Sequence, residues 1–371
     1  MDPERLRRLR DGAASSGLDG LLCWRVEDVV MASGYLPHWG LSVAYIPIAG
    51  EAILFQPANE PEGEGPAGFI ERRYPWGDIG TGEPWRHLER MLASEIGSKR
   101  VGCAMSGAGG ALPANFAELP PFPEGLMERY ASNDAEFLVT QLRSRKTGLE
   151  VERLRLANQV ARAGISAFYD KLIPGVTEAA VAAEVEAEIQ RQIDGGRVRT
   201  ARAWAFVQSG ENTCVTGTFN RSSARPLSQG DIITVELATC VNGYWSDLTR
   251  TGFVGEPSEA QAALLATVER AKQAAMATVR AGATAAQVDA AARTVIEDAG
   301  LRGGHPHPTG HAVGFRYHDA GPVLLPGNES ILEPGMVLTI EPGIYGAAFG
   351  GGCRVEENVL VGEQACSCLS C

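Results

Sequence analysis

One pattern in the second half of the chain constrains its fold more than any other: a helix-then-strand unit occurs twice, in the same order. The pattern G-x-T-x-x-x-V-x-A begins at Gly175 and is repeated from Gly282. In each copy the threonine stands where a long helix would have its N-cap. Farther on, GDIITVE, ending at Glu236, is matched by GMVLTIE, ending at Glu341. The duplication predicts two related halves packed about a pseudo-two-fold axis.

Each repeated β-branched run predicts a buried strand that closes on an acid, first Glu236 and then Glu341. After Glu236 the chain continues as LATCVNGYWSD, and the NG dipeptide is typical of a two-residue hairpin turn. Pairing outward from that turn sets Ala238 opposite Asp247. Because side chains two residues apart share a strand face, Asp247 should project from the same face as Glu236.

A second acidic pair is expected in the other half. A glycine-rich loop, GAAFGGG, follows Glu341 and returns the chain to the strand-like run CRVEENVLV, which contains Glu356. Four carboxylates gathered at the axis carry up to four negative charges, which matches two divalent ions. The alternative, that these acids lie on the solvent side of edge strands, stays open at this point.

The histidines favour the metal-site interpretation. Four of them fall in one tract, HPHPTGHAVGFRYHDAGP, and glycines on both sides of His311 allow backbone and ring to approach a crowded centre. One imidazole added to four carboxylates gives a mixed nitrogen and oxygen ligand set, suited to Mn, Co, Fe or Zn. We therefore predict a centre that holds two divalent metal ions, with Mn²⁺ as the first choice.

These motifs, in this order, resemble the pita-bread (M24) metallopeptidases, the family of aminopeptidase P, prolidase and methionine aminopeptidase, with creatinase as a metal-free relative. GYWSDLTRT, GHAVG with HDAGP, TIEPGIY and CRVEENVLV each resemble a family segment. The resemblance implies an α+β fold, with a creatinase-type α/β domain over residues 1–142 and a pita-bread catalytic domain over 143–371. It also implies a homodimer, whereas the expectation of a cytoplasmic location comes from the polar N-terminal segment, which lacks the apolar stretch of a signal peptide. The metal ligands that it implies, together with the repeat, are Glu236, Asp247, His311, Glu341 and Glu356.

The resemblance further implies a mechanism for an Xaa-Pro aminopeptidase or prolidase. A hydroxide that bridges the metals attacks the scissile carbonyl, Glu341 takes its proton, and His318 stabilises the tetrahedral intermediate. His307 lies beside the substrate, and Arg354 fixes a ligand carboxylate. The expected substrate is a short peptide or a small polar molecule.

Two departures from the family keep another chemistry open. Glu236 stands where the family has an aspartate, and the segment upstream, with Thr218, Phe219 and Asn220, lacks the family's substrate-binding histidine. The alternative is a non-peptidase member of the fold, a small-molecule C–N hydrolase or C–S lyase similar to ectoine hydrolase, creatinase or dimethylsulfoniopropionate lyase. Phe219 and Trp204 would then line an altered pocket. A binding or regulatory protein without turnover is a third interpretation.

Composition excludes several other classes of protein. A net charge of -12 opposes binding to nucleic acid or to an anionic membrane. The sequence also contains no apolar run long enough to predict a membrane span. Eight scattered cysteines suggest reduced thiols, consistent with the cytoplasm. The terminal CSCLSC, with Cys366, Cys368 and Cys371, has too few ligands for a closed metal site.

Overall fold

The structure is a computed structural model that describes residues 1–38, 42–62, 65–75, 83–105, 129, 133–216 and 220–371. The chain forms two compact units, Met1–Arg143 and Ser144–Cys371. Within the described residues, no helix combines the length and the apolar character needed to cross a bilayer.

The first unit is built on a mixed sheet with the strand order β4-β3-β2-β1-β5. Strands β2 and β3 are antiparallel, as the sequence predicts for SVAYIPIAGEAILFQ, and Gly50 in the connecting turn has a φ of +95°. The outer pairs β3–β4 and β1–β5 are parallel. Its described elements are α1 (Pro3–Ser15), β1 (Gly20–Cys23), α2 (Val26–Ser33), β2 (Val43–Pro47), β3 (Ala52–Pro57), β4 (Phe69–Tyr74), α3 (Glu83–Ile96), β5 (Val101–Cys103) and α4 (Glu136–Ser144).

The second unit packs helices against three small sheets, with the strand orders β6-β7-β8, β13-β12-β9 and β10-β11. Two short 3-10 helices, Gly210–Cys214 and Ala347–Phe349, lie in its connections. Its other described elements are α5 (Gly148–Asp170), α6 (Glu178–Arg191), β6 (Ala201–Ser209), β7 (Ile232–Val241), β8 (Tyr244–Phe253), α7 (Glu259–Thr278), α8 (Ala285–Asp298), β9 (Val337–Ile340), β10 (Gly343–Gly346), β11 (Gly351–Arg354), β12 (Glu357–Leu360) and β13 (Ser367–Cys368).

The sequence repeat corresponds to a repeat in the backbone of the second unit. The hydroxyls of Thr177 and Thr284 accept the N3 amide of α6 and α8, as predicted for the two N-caps. The preceding glycines, Gly175 and Gly282, have φ angles of +88° and +82°. Their amides donate to carbonyls in the chain that leads to the following strand, at 2.8 and 3.0 Å. The two halves therefore begin with the same local construction.

Each half has its own apolar core. One core joins α5 and α6 to the β6-β7-β8 sheet through residues such as Phe168, Val185 and Val235. The other joins α7 and α8 to β9 and β12 through residues such as Val268 and Leu338. Because the two cores hold β7 and β8 on one side and β9 and β12 on the other, burial of apolar surface fixes the strands that carry the acidic residues.

The cysteines differ from the expectation in one pair. Cys368 and Cys371 form a disulfide, whereas the other six cysteines are free thiols as predicted. A bend after β13 brings the two terminal cysteines together, and this cannot be inferred from cysteine spacing alone.

Candidate metal centre

The β7–β8 hairpin places the first two acids. Asn242 and Gly243 form its turn with φ angles of +50° and +89°, and Ala238 lies opposite Asp247. The predicted register is therefore confirmed. Glu236 and Asp247 share one face of the sheet, and both are nearly fully buried.

The second acidic pair is placed by strands β9 and β12. These strands are antiparallel, and Ile340 lies opposite Glu357. Glu341 follows β9 directly and Glu356 precedes β12 directly, so the two acids extend this ladder. The amide of Glu356 also donates to the carbonyl of Thr249 in β8, at 3.1 Å, which joins the two acidic pairs.

His311 is held beside the same strand. Its amide donates to the hydroxyl of Thr339, at 2.9 Å, and its carbonyl accepts the amide of Thr339, at 2.8 Å. A Cβ added to the preceding Gly310 would overlap the carbonyl oxygen of Thr339. The close approach of the histidine segment to β9 therefore requires glycine at this position.

Four predicted ligands lie close together, and three of their carboxylate oxygens have no hydrogen-bond donor among the described residues. Nε2 of His311 lies 3.3 Å from Oδ2 of Asp247 and 3.4 Å from Oε1 of Glu341. Ligand atoms of His311, Glu341 and Glu356 lie within 4.8 Å of one another. Among the described residues, no hydrogen-bond donor reaches either carboxylate oxygen of Asp247 or Oε1 of Glu356. A buried, unsatisfied carboxylate is costly unless a cation binds it.

Electrostatics support the same conclusion. Burial raises the pKa of Asp247 well above its usual range, and the neighbouring Glu236 and Glu341 add to the effect. Burial and Asp247 likewise raise the pKa of Glu356, and burial raises that of Glu341. Because a nearby positive charge would lower these raised pKa values, the centre favours a bound cation.

The hydrogen bonds of His311 leave the metal-binding nitrogen free. Its Nδ1 lies 3.0 Å from the carbonyl of Ala312, which can only accept a hydrogen bond, so Nδ1 carries the proton. The lone pair of Nε2 therefore faces the carboxylates. An imidazole fixed in this way by a backbone carbonyl is the usual arrangement of a histidine ligand. The residues thus fit a divalent metal ion.

Glu236 differs from the other three acids. Its Oε2 accepts a hydrogen bond from Arg354 Nη2, and its Oε1 accepts one from Tyr317 Oη at 2.5 Å. The hydroxyl of Thr249, which has one proton, lies between Oε2 of Glu236 and Oε2 of Glu356. Burial favours a raised pKa for Glu236, but the guanidinium of Arg354 and these hydrogen bonds hold the pKa below its usual value. Glu236 also lies within ligand distance of Asp247 and Glu356.

The remaining predicted residues border the carboxylates. Arg354 forms an ion pair with Glu236, a contact that agrees with its predicted role of fixing a ligand carboxylate. Its Nη1 lies 3.2 Å from the hydroxyl of Tyr345. That hydroxyl lies 2.9 Å from Nε2 of His307. The ring of His318 lies 3.9 Å from that of His311 between centroids, and burial beside His311 lowers its pKa to about 3. His318 is therefore neutral near pH 7.

An aromatic wall, formed by Trp204, Trp245 and Tyr317, lies on the metal-binding face of the sheet. The rings of Trp204 and Trp245 are stacked at 4.9 Å, and Trp245 lies 6.4 Å from Tyr317. Sequence reasoning named Trp204 as a pocket residue but missed the other two. Trp245 could have been found from the hairpin, because it stands two residues before Asp247 and so shares its face.

The segment that lacks the family's histidine is only partly described. Thr218 and Phe219 lie outside the described residues. Asn220 is described and lies in a turn, half-buried. Thr249 and Asn358, which hydrogen-bond to the predicted ligands or their backbone, were also missed. Of these two residues, only Thr249 could have been found from the sequence, because it lies two residues after Asp247 on the same strand and therefore shares its face.

Comparison with known proteins decides the family. The model of "Metallopeptidase family M24" matches residues 152–363. The chain belongs to metallopeptidase family M24. The matched span contains all five predicted metal ligands, so the family implies divalent metal ions at this centre.

Relatives and solved structures agree with this M24 assignment. The chain is 38% identical over 230 residues to "Probable dipeptidase PepE" of Mycobacterium tuberculosis, a match that covers 61% of the chain and 58% of the relative's length. It is 27% identical over 362 residues to "Xaa-Pro dipeptidase" of Pyrococcus horikoshii, covering 96% and 94%. The solved Xaa-Pro dipeptidase from Bacillus anthracis superposes with a TM-score of 0.79 at 25% identity, covering 99% and 97%. The predicted α+β pita-bread fold is confirmed.

Proposed function

We propose that this M24 protein is a metal-dependent hydrolase of the Xaa-Pro dipeptidase or aminopeptidase type. The observation that carries the proposal is the convergence of Asp247, His311, Glu341 and Glu356, with three buried carboxylate oxygens that no described donor reaches. The relatives named as dipeptidases and Xaa-Pro dipeptidases supply the substrate class.

The four residues with open ligand atoms would hold the metal. Their mixed nitrogen and oxygen set supports Mn²⁺ as the first choice, ahead of Co, Fe or Zn. The number of ions depends on Glu236, the fifth predicted ligand, and the count of two stays a prediction from the family resemblance. Divalent ions bound here would polarise a scissile carbonyl and increase the acidity of water.

The chain's own residues supply the other parts of a peptidase site. We assign Glu341 as the acceptor of the proton from the attacking water, because burial already favours its protonated form. Arg354 holds Glu236 through an ion pair. The roles of His307 and His318 beside the substrate stay predictions. Both have pKa values lowered by burial, so each would act on the substrate as a neutral imidazole.

The aromatic wall favours an apolar, ring-containing substrate group near the ions. Stacked Trp204 and Trp245 present flat faces, a surface on which proline rings pack well in peptide-binding grooves. This supports an Xaa-Pro dipeptide over a highly charged substrate.

A direct assay tests the proposal. Purified protein should contain divalent metal by elemental analysis, and with added Mn²⁺ or Co²⁺ it should hydrolyse Xaa-Pro dipeptides. A Glu356→Ala variant should lose both the metal and the turnover. Bound metal without turnover of any Xaa-Pro peptide would rule out the peptidase assignment, and absence of metal affinity would rule out any metalloenzyme at this site.

The non-peptidase alternative is supported by one observation. Glu236 is tied to Arg354 and Tyr317, so the acidic centre differs from four open carboxylates, and a changed centre is compatible with C–N or C–S cleavage in a small polar molecule. Testing such molecules beside the dipeptides separates the two functions. The cytoplasmic location and the homodimer stay predictions, and light scattering of the purified protein tests the latter.

A further inference from the structure

The disulfide between Cys368 and Cys371 lies outside the site described above. Cys371 is exposed and Cys368 is partly exposed, whereas the other six cysteines of the chain are free thiols. A single accessible bond of this kind, in a chain of free thiols, is more typical of a redox sensor than of a structural cross-link. Only two residues separate the cysteines, and a cross-link that closes so short a loop restricts the unfolded chain least. The bond therefore contributes little to global stability.

The two residues enclosed by this disulfide hold the backbone of Asn358 in β12. The amide of Leu369 donates to the carbonyl of Asn358 at 2.8 Å, and Ser370 Oγ accepts the amide of Asn358 at 2.9 Å. Leu369 is 6% exposed and Ser370 is 1% exposed. Because both residues are covalently joined to the cysteines, the disulfide restrains the two contacts.

Asn358 passes this restraint to a predicted metal ligand. Its side chain accepts the amide of Asp247 at 3.2 Å and donates to the carbonyl of Asp247. No donor among the described residues reaches the carboxylate of Asp247, so the direction of that carboxylate follows from its backbone. A change at Ser370 can therefore displace a ligand through two hydrogen-bonded steps.

A second path leads from Ser370 to Glu356. Ser370 Oγ donates to Oε2 of Glu357 at 2.5 Å, and Oε1 of Glu357 accepts Arg250 Nη2 at 2.8 Å. The other terminal nitrogen of that guanidinium, Nη1, donates to the carbonyl of Glu356. One buried hydroxyl thus contacts the residues that position two predicted ligands, and it is held by a loop that the disulfide closes.

A small dithiol can open this bond by thiol–disulfide exchange. One thiolate of the dithiol attacks Sγ of the exposed Cys371, the bond between the two cysteines breaks, and Cys368 leaves as a thiolate that takes up a proton. The second thiol of the reductant then displaces Cys371, so the reductant becomes a cyclic disulfide and the protein gains two thiols. The amide of Cys371 donates to Sγ of Cys368 at 3.1 Å, which favours that sulfur as the leaving group.

Opening the bond changes what Ser370 can hold. The two cysteines become thiols that move apart to a nonbonded separation, and Ser370 moves with Cys371, to which it is joined. A hydrogen bond from the exposed Arg162 to the carbonyl of Cys371 remains, and a bond of this kind restrains a segment only weakly. The amide of Asn358 then exchanges a fixed acceptor for a mobile one.

We propose that Cys368 and Cys371 form a reversible redox site, opened by a small dithiol, whose opening loosens Asn358 and lowers the affinity of the centre for divalent metal. The reverse exchange, with a disulfide as the oxidant, closes the bond and restores the affinity. The proposal concerns regulation of the centre and rests on the proposed function for its metal dependence. Both cysteines are positioning residues, since they act through Ser370 and Asn358.

Titration with Mn²⁺ in the two redox states tests the proposal. Protein isolated without reductant is compared with protein treated in its folded state with dithiothreitol, which is then removed under anaerobic conditions. Differential alkylation with mass spectrometry reports the state of Cys368 and Cys371, and calorimetry reports the affinity. We expect reduction of both cysteines, Mn²⁺ binding about tenfold weaker, the lower end of the range for groups that orient a ligand, and recovery after treatment with oxidised glutathione. Freed thiols do not compete, because Mn²⁺ prefers oxygen ligands to thiolates.

Three variants locate the effect. The double variant Cys368→Ser with Cys371→Ser cannot form the bond, and it should show the affinity of the reduced protein under both conditions. Ser370→Ala keeps the disulfide but removes the hydroxyl, so its Mn²⁺ affinity should already be lowered in the oxidised state and should respond less to reduction. Cys366→Ser is the matched control, because Cys366 donates to the carbonyl of Met276 and burial raises its pKa, so this thiol takes no part in the exchange. It should respond as the unaltered protein does.

The outcomes separate this inference from the proposed function. Equal Mn²⁺ affinities in both states of the unaltered protein would overturn the regulatory inference and leave the peptidase assignment intact. A bond that dithiothreitol reduces only after denaturation would also overturn it, since the disulfide would then be structural. The same holds if the double variant, shown to be folded by circular dichroism, still responds to reduction. Failure to bind Mn²⁺ in either state would contradict the proposed function as well.

Discussion

The side chain of Asn358 holds the backbone of Asp247 on both sides. Oδ1 of Asn358 accepts the amide of Asp247 at 3.2 Å, and Nδ2 of Asn358 donates to the carbonyl of Asp247. Asn358 is fully buried, and its backbone amide donates to Ser370 Oγ at 2.9 Å. A residue of β12 thus fixes the position of a ligand on β8.

Replacement of Asn358 by alanine should therefore weaken both the fold and the metal site. Two buried backbone groups of Asp247 would lose their partner, at a cost of about 2 kcal/mol in the free energy of unfolding. We expect Mn²⁺ affinity to fall 10- to 100-fold, as for other residues that orient a ligand. Chemical denaturation and calorimetry measure the two effects. Asn328→Ala, which removes two loop hydrogen bonds, one to the carbonyl of Val323 and one from the amide of Ser330, serves as the control. Equal affinities in the two variants would show that the clamp does not position Asp247.

Replacement of Asp247 by asparagine should have opposite effects on the metal-free and the metal-loaded protein. The substitution removes a buried carboxylate that has no donor among the described residues. The metal-free variant should melt a few degrees above the unaltered protein, which corresponds to a gain of about 1 kcal/mol in the free energy of unfolding. Added Mn²⁺ should no longer raise the melting temperature. A metal-free variant that melts lower would indicate that Asp247 has a partner in solution.

The stability of the metal-free protein should fall as the pH rises. The pKa values of Asp247, Glu341 and Glu356 are raised in the folded state, so between the ordinary carboxyl pKa and the raised values the folded chain binds more protons than the unfolded chain. Stability then decreases with increasing pH through this window and is regained as the pH falls.

Metal binding reverses this pH dependence, because ions displace the same protons and bind more tightly as the pH rises. The stabilisation by Mn²⁺ should thus be larger at pH 8 than at pH 5.5. Scanning calorimetry over this range, with and without Mn²⁺, measures both curves. In the Asp247→Asn variant the metal-free curve should be flatter, and an unchanged slope would assign the pH dependence to other groups.

Replacement of Gly310 by alanine should displace His311. The added Cβ would overlap the carbonyl oxygen of Thr339, against which the histidine segment packs. We expect a loss of 1 to 3 kcal/mol in unfolding free energy, the scale of overpacking at a tight contact, and at least about tenfold weaker Mn²⁺ binding. Gly148→Ala is the matched control, since its Cβ would meet nothing within 4 Å. Unchanged metal affinity in Gly310→Ala would show that this close approach does not position His311.

The sequence by itself determined the local constructions. The Asn242-Gly243 turn fixed the register of β7 and β8, because a two-residue turn and a side-chain period of two leave one pairing that buries Glu236 and Asp247 together. The repeat placed the two threonine N-caps in equivalent positions, because capping depends on a few adjacent residues. The order of the motifs identified the M24 family.

Only the tertiary structure decided how each carboxylate is satisfied. The partners of Glu236 are Tyr317 and Arg354, and the clamp on Asp247 is Asn358, each far away in the chain. No periodicity or turn signal reports such contacts, because they depend on how the two halves pack. The same packing leaves Asp247 without a donor among the described residues while Glu236 accepts hydrogen bonds from Tyr317 and Arg354, so acids that look equivalent in the sequence have different partners.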